Sequence, residues 1–194
     1  MEELLRHIEL QVPLTAQDRE LLTTYLRQRT YRKKEYIVRS GGVCRSHTFI
    51  LSGTARTYLL DGEGHEHIIA FGLDGWWVGD LESLLNQTPA KFDVQCLAPT
   101  TVVQLPYEHL EELYRRVPAL ERFFRLIIQR AYVSAQNRVV RNLSYTARER
   151  YEWFVEHYPA VVARVPQYMV ASYLGVSKEF LSTIRRQITE DAGE

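Results

Sequence analysis

Lys178, Glu179, Ser182, Thr183, Arg185 and Arg186 crowd one short stretch of the chain, interleaved with Phe180, Leu181 and Ile184. At helical spacing the apolar residues share one side and the polar ones are left for the others. Lysine can donate to guanine O6 and N7, and glutamate can accept from cytosine N4. Gln167, Ser177, Arg185 and Arg186 suit phosphate contacts, which position a protein on a duplex without reading it. A second set, His47, His65 and His67, invites a metal reading, because two histidines at i and i+2 share a strand face. Solvated hairpin residues are the simpler reading of that pair. No Gly-x-Ser-x-Gly, P-loop, His-Glu-x-x-His or Cys-x-x-Cys occurs, so no catalytic residue and no metal site is assigned.

The elements around Lys178 to Arg186 explain how such a helix would be presented. Pro166 suits a first helical position. Val170, Ala171 and Leu174 make an apolar face, and Gly175 readily takes the left-handed conformation that ends a helix. Ser177 reads as the cap of a second helix, with Phe180, Leu181, Ile184 and Ile188 on its apolar side. This is a helix-turn-helix pattern, whose second helix enters a DNA major groove. An ordinary helical hairpin has the same local form. Charge placement separates the two. Residues 122–188 carry a net charge of +7, against −4 for residues 1–121 and −3 for the last six, although the whole chain is neutral. A basic segment hidden in a neutral total is the footprint of phosphate contacts.

The rest of the chain reads as support. Residues 1–30 read as helical, with Thr15 capping a helix that carries Leu21, Leu22, Tyr25 and Leu26. Lys33 and Lys34 read as a solvated strand edge. From Thr30 to about Tyr107 short alternating strands separated by Gly-rich turns predict an antiparallel jelly roll, with a hairpin at Asp61-Gly62-Glu63-Gly64. Pro118 opens a long helix with apolar residues at Leu120, Phe123, Phe124, Ile127, Ile128, Ala131, Tyr132, Ala135 and Val139. These are too many for a lone surface helix, so part of the stripe should pair with a second subunit. Thr146 and Glu149 form a capping box, and Tyr158-Pro159 ends that helix. Trp76 and Trp77 read either as a ligand surface or as core packing beside a pocket. The expected fold class is α+β: residues 1–117 a β-roll with leading helices, 118–143 the long dimerisation helix, 144–194 the helix-turn-helix. Cys44 and Cys96 alone argue against a disulfide framework and for a reducing cytoplasm. They are too few for a four-thiolate iron–sulfur cluster. No apolar run is long enough to span a membrane.

Gly53 in FILSGTAR, Val78-Gly79-Asp80-Leu81, Thr88-Pro89 and LGVSKEFLSTIRR at 174–186, in this element order, resemble the Crp/Fnr family of bacterial transcription regulators. The resemblance covers nearly the whole chain. It implies a cytoplasmic homodimer joined through the 118–143 helix, with double-stranded DNA and RNA polymerase as partners. It also implies an effector pocket at Gly79, Asp80, Leu81, Ala90 and Lys91, where the family holds a cyclic nucleotide phosphate. Gly79 and Leu81 match the family. Asp80 stands at the family's Glu, Ala90 at its phosphate-binding Arg and Lys91 at the hydroxyl beside it. A lysine lacks the guanidinium fork, so cyclic AMP is not the expected effector and no cofactor is assigned. Lys178 and Thr183 stand at common Arg positions, so base preference should differ from relatives. Only TEDAGE follows Ile188, where relatives continue into a β-wing, so wing contacts are not expected. Two readings of other classes stay open. One is a nucleotide or small-molecule sensor module signalling through a protein partner. The other is a cupin-like metalloenzyme built on His47, His65 and His67.

Overall fold

The computed structural model describes residues 1–191. Two short helices, α1 (Glu2–Glu9) and α2 (Ala16–Tyr25), lead into eight strands: β1 (Arg27–Tyr31), β2 (Tyr36–Val38), β3 (Ser46–Ser52), β4 (Thr54–Leu60), β5 (Glu66–Leu73), β6 (Trp77–Val78), β7 (Asp93–Cys96) and β8 (Thr100–Pro106). Helix α3 (Leu81–Asn86) interrupts the strands between β6 and β7. The strands form two antiparallel four-stranded sheets, ordered β1-β8-β3-β6 and β2-β7-β4-β5. Ile50, Ala55, Val94, Cys96 and Val102 fill the space between them. Gly53 joins β3 to β4 at φ +122°, and a Cβ there would sit 2.6 Å from Thr100 Cα, so only glycine fits this corner.

After a turn of 3₁₀ helix and α4 (Leu110–Arg116), the long helix α5 runs Pro118–Ser144. Pro118 starts it, as a residue whose missing N–H costs nothing at that position. Its first turns are core: Leu120, Phe123 and Phe124 pack with α1, α4 and β3. Its last turns are not, because Tyr132, Val133, Val139, Val140 and Leu143 are exposed. Then come α6 (Ala147–His157), α7 (Pro159–Arg164), α8 (Gln167–Leu174) and α9 (Lys178–Asp191). The capping boxes at Thr15 with Asp18 and at Thr146 with Glu149 are both formed.

Four details differ from the expectation. Residues 27–30 belong to strand β1, which pairs with β8, so the leading helical segment stops at Tyr25. Lys33 and Lys34 occupy the tight turn between β1 and β2, with Lys34 at φ +72°, rather than a strand edge. Pro166 is the extended cap of α8, and the helix itself starts at Gln167. Phe180 is 51% exposed. Adjacent helical residues lie about 100° apart, so Phe180 and Leu181 cannot both face the core. Leu181 and Ile184 take that face, and Ile188 is half-buried beside them. The acidic tail residue Glu194 lies outside the described residues.

Candidate nucleic-acid interface and effector pocket

Helix α8 ends at Gly175 (φ +70°), where the Val176 N–H returns to the Ala171 carbonyl at 3.0 Å. That left-handed residue lets α9 leave at a new angle. The Ser177 hydroxyl then accepts from the Phe180 N–H at 3.1 Å and caps α9. Tyr151, Phe154, Val161, Val170 and Ala171 pack under Leu181 and Ile184, which holds α9 on its inner side. Its outer side is free. Lys178, Glu179, Ser182, Thr183 and Arg186 line one shallow depression at the start of α9. All but the half-buried Thr183 are exposed. Thr183 Oγ1 donates to the Glu179 carbonyl at 3.2 Å, which leaves its methyl as the outward group.

Two predicted contact residues lie elsewhere. Arg185 is exposed on the opposite flank of α9, beside Glu152 and Glu156 of α6. Gln167 is half-buried in the first turn of α8, with its Oε1 enclosed and unpaired. The helix period separates Arg185 from Arg186 by the same 100° step that separates Phe180 from Leu181.

Sequence reasoning missed what ties this unit to the β-roll. Arg138 of α5 donates to the Ile69 carbonyl of β5 and, at 3.0 Å, to the Tyr173 carbonyl of α8, with its guanidinium 4.0 Å from the Tyr173 ring centre. Ser172 Oγ accepts from the Ile68 N–H and donates to the Glu66 carbonyl, both at 3.0 Å. Helix α8 therefore covers the open edge of β5. Ile68, Phe71 and Leu73 of the roll share one core with the helix-turn-helix. A single basic residue mid-helix carries no periodic signal, so nothing in the sequence marked Arg138.

The residues at the family's phosphate site are engaged with one another inside the roll. Asp80 is 2% exposed and caps α3, with Oδ1 accepting from the Ser83 N–H at 3.0 Å. Its Oδ2 accepts from the Lys91 N–H at 2.8 Å and the Phe92 N–H at 3.4 Å. The amides that could cradle a phosphate already hold an internal carboxylate. Ala90 is buried, and its N–H and carbonyl pair with Gly42 and Gly41. No cation can come from that position. Lys91 turns outward to Glu82, 2.8 Å away, and that hydrogen bond raises its pKa. A phosphate about 4 Å from the Asp80 carboxylate would meet a repulsion of about 4 kcal/mol at an effective dielectric of 20. Asp80→Ala should lower unfolding free energy by about 2–4 kcal/mol, since a cap is lost and three amides lose their acceptor. Urea denaturation measures this, and a loss below about 0.5 kcal/mol would contradict the cap's role.

A cavity of about 360 Å³ lies beside this cassette, between β3, β6, α3 and α5. His47 lines it, stacked on Phe124 with ring centres 4.2 Å apart. Burial pushes the His47 pKa down to about 4, so the imidazole is neutral near pH 7. Trp77 lines it too and packs against Phe49 and Phe123, which settles its place as core beside a pocket. His65 and His67 serve the hairpin instead. His67 Nε2 lies 2.7 Å from Asp61 Oδ2, and that hydrogen bond holds the Asp61 carboxyl at about 2. Among the described residues no three His, Cys, Asp or Glu side chains gather as metal ligands. Likewise, no described helix is long and apolar enough to cross a membrane.

Residues 28–117 match the cyclic nucleotide-binding domain family. The chain is 25% identical over 190 residues to regulatory protein HlyX of Actinobacillus pleuropneumoniae, across 91% of this chain and 78% of HlyX. It is 29% identical over 147 residues to transcriptional activator protein Anr of Pseudomonas aeruginosa, across 75% of this chain and 59% of Anr. The chain thus aligns over less than two thirds of Anr's length. Its fold superposes on FixK2 of Bradyrhizobium japonicum with a TM-score of 0.73 at 19% identity, covering 86% of each chain. The catabolite activator protein of Thermus thermophilus superposes at 0.61 and 19% identity, over 96% of this chain and 88% of the other. In sequence and in the order of β-roll, long helix and C-terminal helix-turn-helix, the chain is thus similar to regulators of the Crp/Fnr type.

Proposed function

We propose that this chain is a homodimeric transcription regulator that reads duplex DNA through α9 and answers to an effector other than a cyclic nucleotide. The observation that carries the reading is the exposed depression of Lys178, Glu179, Ser182, Thr183 and Arg186 at the start of α9. It sits within the basic C-terminal segment and on the helix-turn-helix core. Residues 1–117 act as the effector unit, 118–143 as the dimerisation helix and 144–194 as the DNA-reading unit. RNA polymerase is the partner through which promoter output follows. Ser177 and Arg186 position the phosphates, and Lys178 and Glu179 read base edges. The exposed Tyr132, Val139 and Leu143 supply the dimer seam. The two recognition helices must meet half-sites about 34 Å apart, so their mutual setting decides affinity. Arg138 joins α5, β5 and α8 and transmits any movement of the long helix to that setting. An effector works only by binding one setting better than the other.

Fluorescence anisotropy with duplex DNA across a salt series tests this. Even a non-operator duplex should bind at low salt, with log affinity falling against log salt at a slope of about −5 or steeper. Cyclic AMP should leave the curve unchanged. Absence of salt-sensitive binding would transfer the weight to a sensor that signals through a protein partner. Binding that requires cyclic AMP would overturn the account of the Asp80 cassette.

A further inference from the structure

The cavity between β3 and α5 shares Gly79, Asp80 and Leu81 with the phosphate cassette, but the rest of its lining is different. Its walls are His47, Trp77 and Leu84 on the roll side and Ile127, Ile128 and Ala131 on the long helix. No Lys or Arg lines it, and its one acidic residue, Asp80, is fully engaged with backbone amides. An anionic ligand would therefore find a buried carboxylate and no cation. The volume of about 360 Å³ lies in the lower range of small-molecule sites. Polar handles are few but present. His47 lines the wall and makes no side-chain hydrogen bond among the described residues, so its ring is left to pair with a ligand.

We propose that this cavity is the binding site for a small, neutral, mainly apolar ring compound bearing a hydrogen-bond acceptor, and that such a compound is the effector. The inference rests on the regulator reading for the word effector, and on the cavity alone for the ligand class. A neutral compound fits because the site offers apolar walls, a neutral imidazole and no charge to pair with an anion. An occupant would touch the roll and α5 together, next to the turns where the exposed apolar stripe begins. It could therefore favour one setting of the long helix over another.

The probe is Prodan, an uncharged naphthyl ketone whose emission shifts to the blue in apolar surroundings. The full chain should bind it with a micromolar Kd. Ala131→Trp, which fills the cavity from an exposed helix position, should weaken binding at least about tenfold. His47→Leu should weaken it about threefold to tenfold through the lost polar contact. Unchanged thermal melting of both variants excludes misfolding, and Ile128→Trp fills the same space if Ala131→Trp does not fold. Millimolar cyclic AMP should not displace the dye. Saturating dye should change the affinity for duplex DNA at least about threefold. No blue shift, retention of binding in the filled variants, displacement by cyclic AMP, or loss of binding as protein concentration rises would each overturn the proposal. The last of these would show a second copy's α5 as the occupant. Dye binding with no effect on DNA affinity would overturn the effector role. Dye binding in a protein that never binds DNA would overturn the regulator reading while leaving the ligand class intact.

Discussion

Val139→Asp combined with Leu143→Asp should turn the protein into monomers and lower its affinity for a two-half-site duplex at least about a hundredfold. Both residues belong to α5, and they are 57% and 84% exposed. Tyr132, 63% exposed, lies seven residues before Val139, the heptad spacing that keeps side chains on one seam. Single exposed apolar residues need no explanation, but five on the same two turns and more of one helix do. Burying a Val or Leu side chain contributes about 1.5–3 kcal/mol, so the pair on two chains accounts for several kcal/mol of association. Aspartates facing one another across the seam remove that and add repulsion. The fold of each protomer should survive, because the core residues of α5 are Leu120, Phe123 and Phe124, several turns away. Sedimentation velocity measures the mass, and anisotropy with a duplex of two half-sites against one measures the coupling. A double variant that stays dimeric at low micromolar concentration would refute the seam.

Lys178→Ala should cost about 1–3 kcal/mol on a specific site, about tenfold to a hundredfold, and relax the preference at one guanine. Glu179→Ala should relax the preference at a cytosine. Arg186→Ala should behave differently. It should weaken all duplexes alike and reduce the salt slope by about 1. The contrast matters because the three residues share one depression, so a merely structural role would affect them together. Lys178 and Glu179 are exposed, and neither side chain makes a hydrogen bond or ion pair among the described residues, so melting should not change. Selection of bound sequences from a random duplex pool, compared between the variants, gives the result. Identical preferences for Lys178→Ala, Glu179→Ala and the parent would remove both residues from base reading.

Some of this was legible before any coordinate. The capping boxes at Thr15 and Thr146, the Gly175 turn, the Asp61 hairpin and the start of α5 at Pro118 each depend on groups within a few residues of one another. Their hydrogen bonds close locally, so residue type and spacing are enough to specify them. The helical period likewise separates the exposed polar face of α9 from its core side, although it leaves two neighbours, Phe180 and Leu181, to compete for the inner position. Only the tertiary structure decides between them, because the outcome depends on where Tyr151 and Phe154 stand. The same holds for β1, which is too polar to announce itself and exists by pairing with β8, where partners lie 69 to 77 residues apart. Arg138 finds its carbonyl partners in Ile69, Ile68 and Tyr173, which are 69, 70 and 35 residues away. Asp80, a plausible ligand group in sequence, becomes a closed cap because the chain brings the amides of Lys91 and Phe92 to its second oxygen. Local order is encoded by contacts whose loop closure costs little. The cavity beside α5 and the clamp on the helix-turn-helix are made of contacts between distant segments, and no short period in the sequence reports on those.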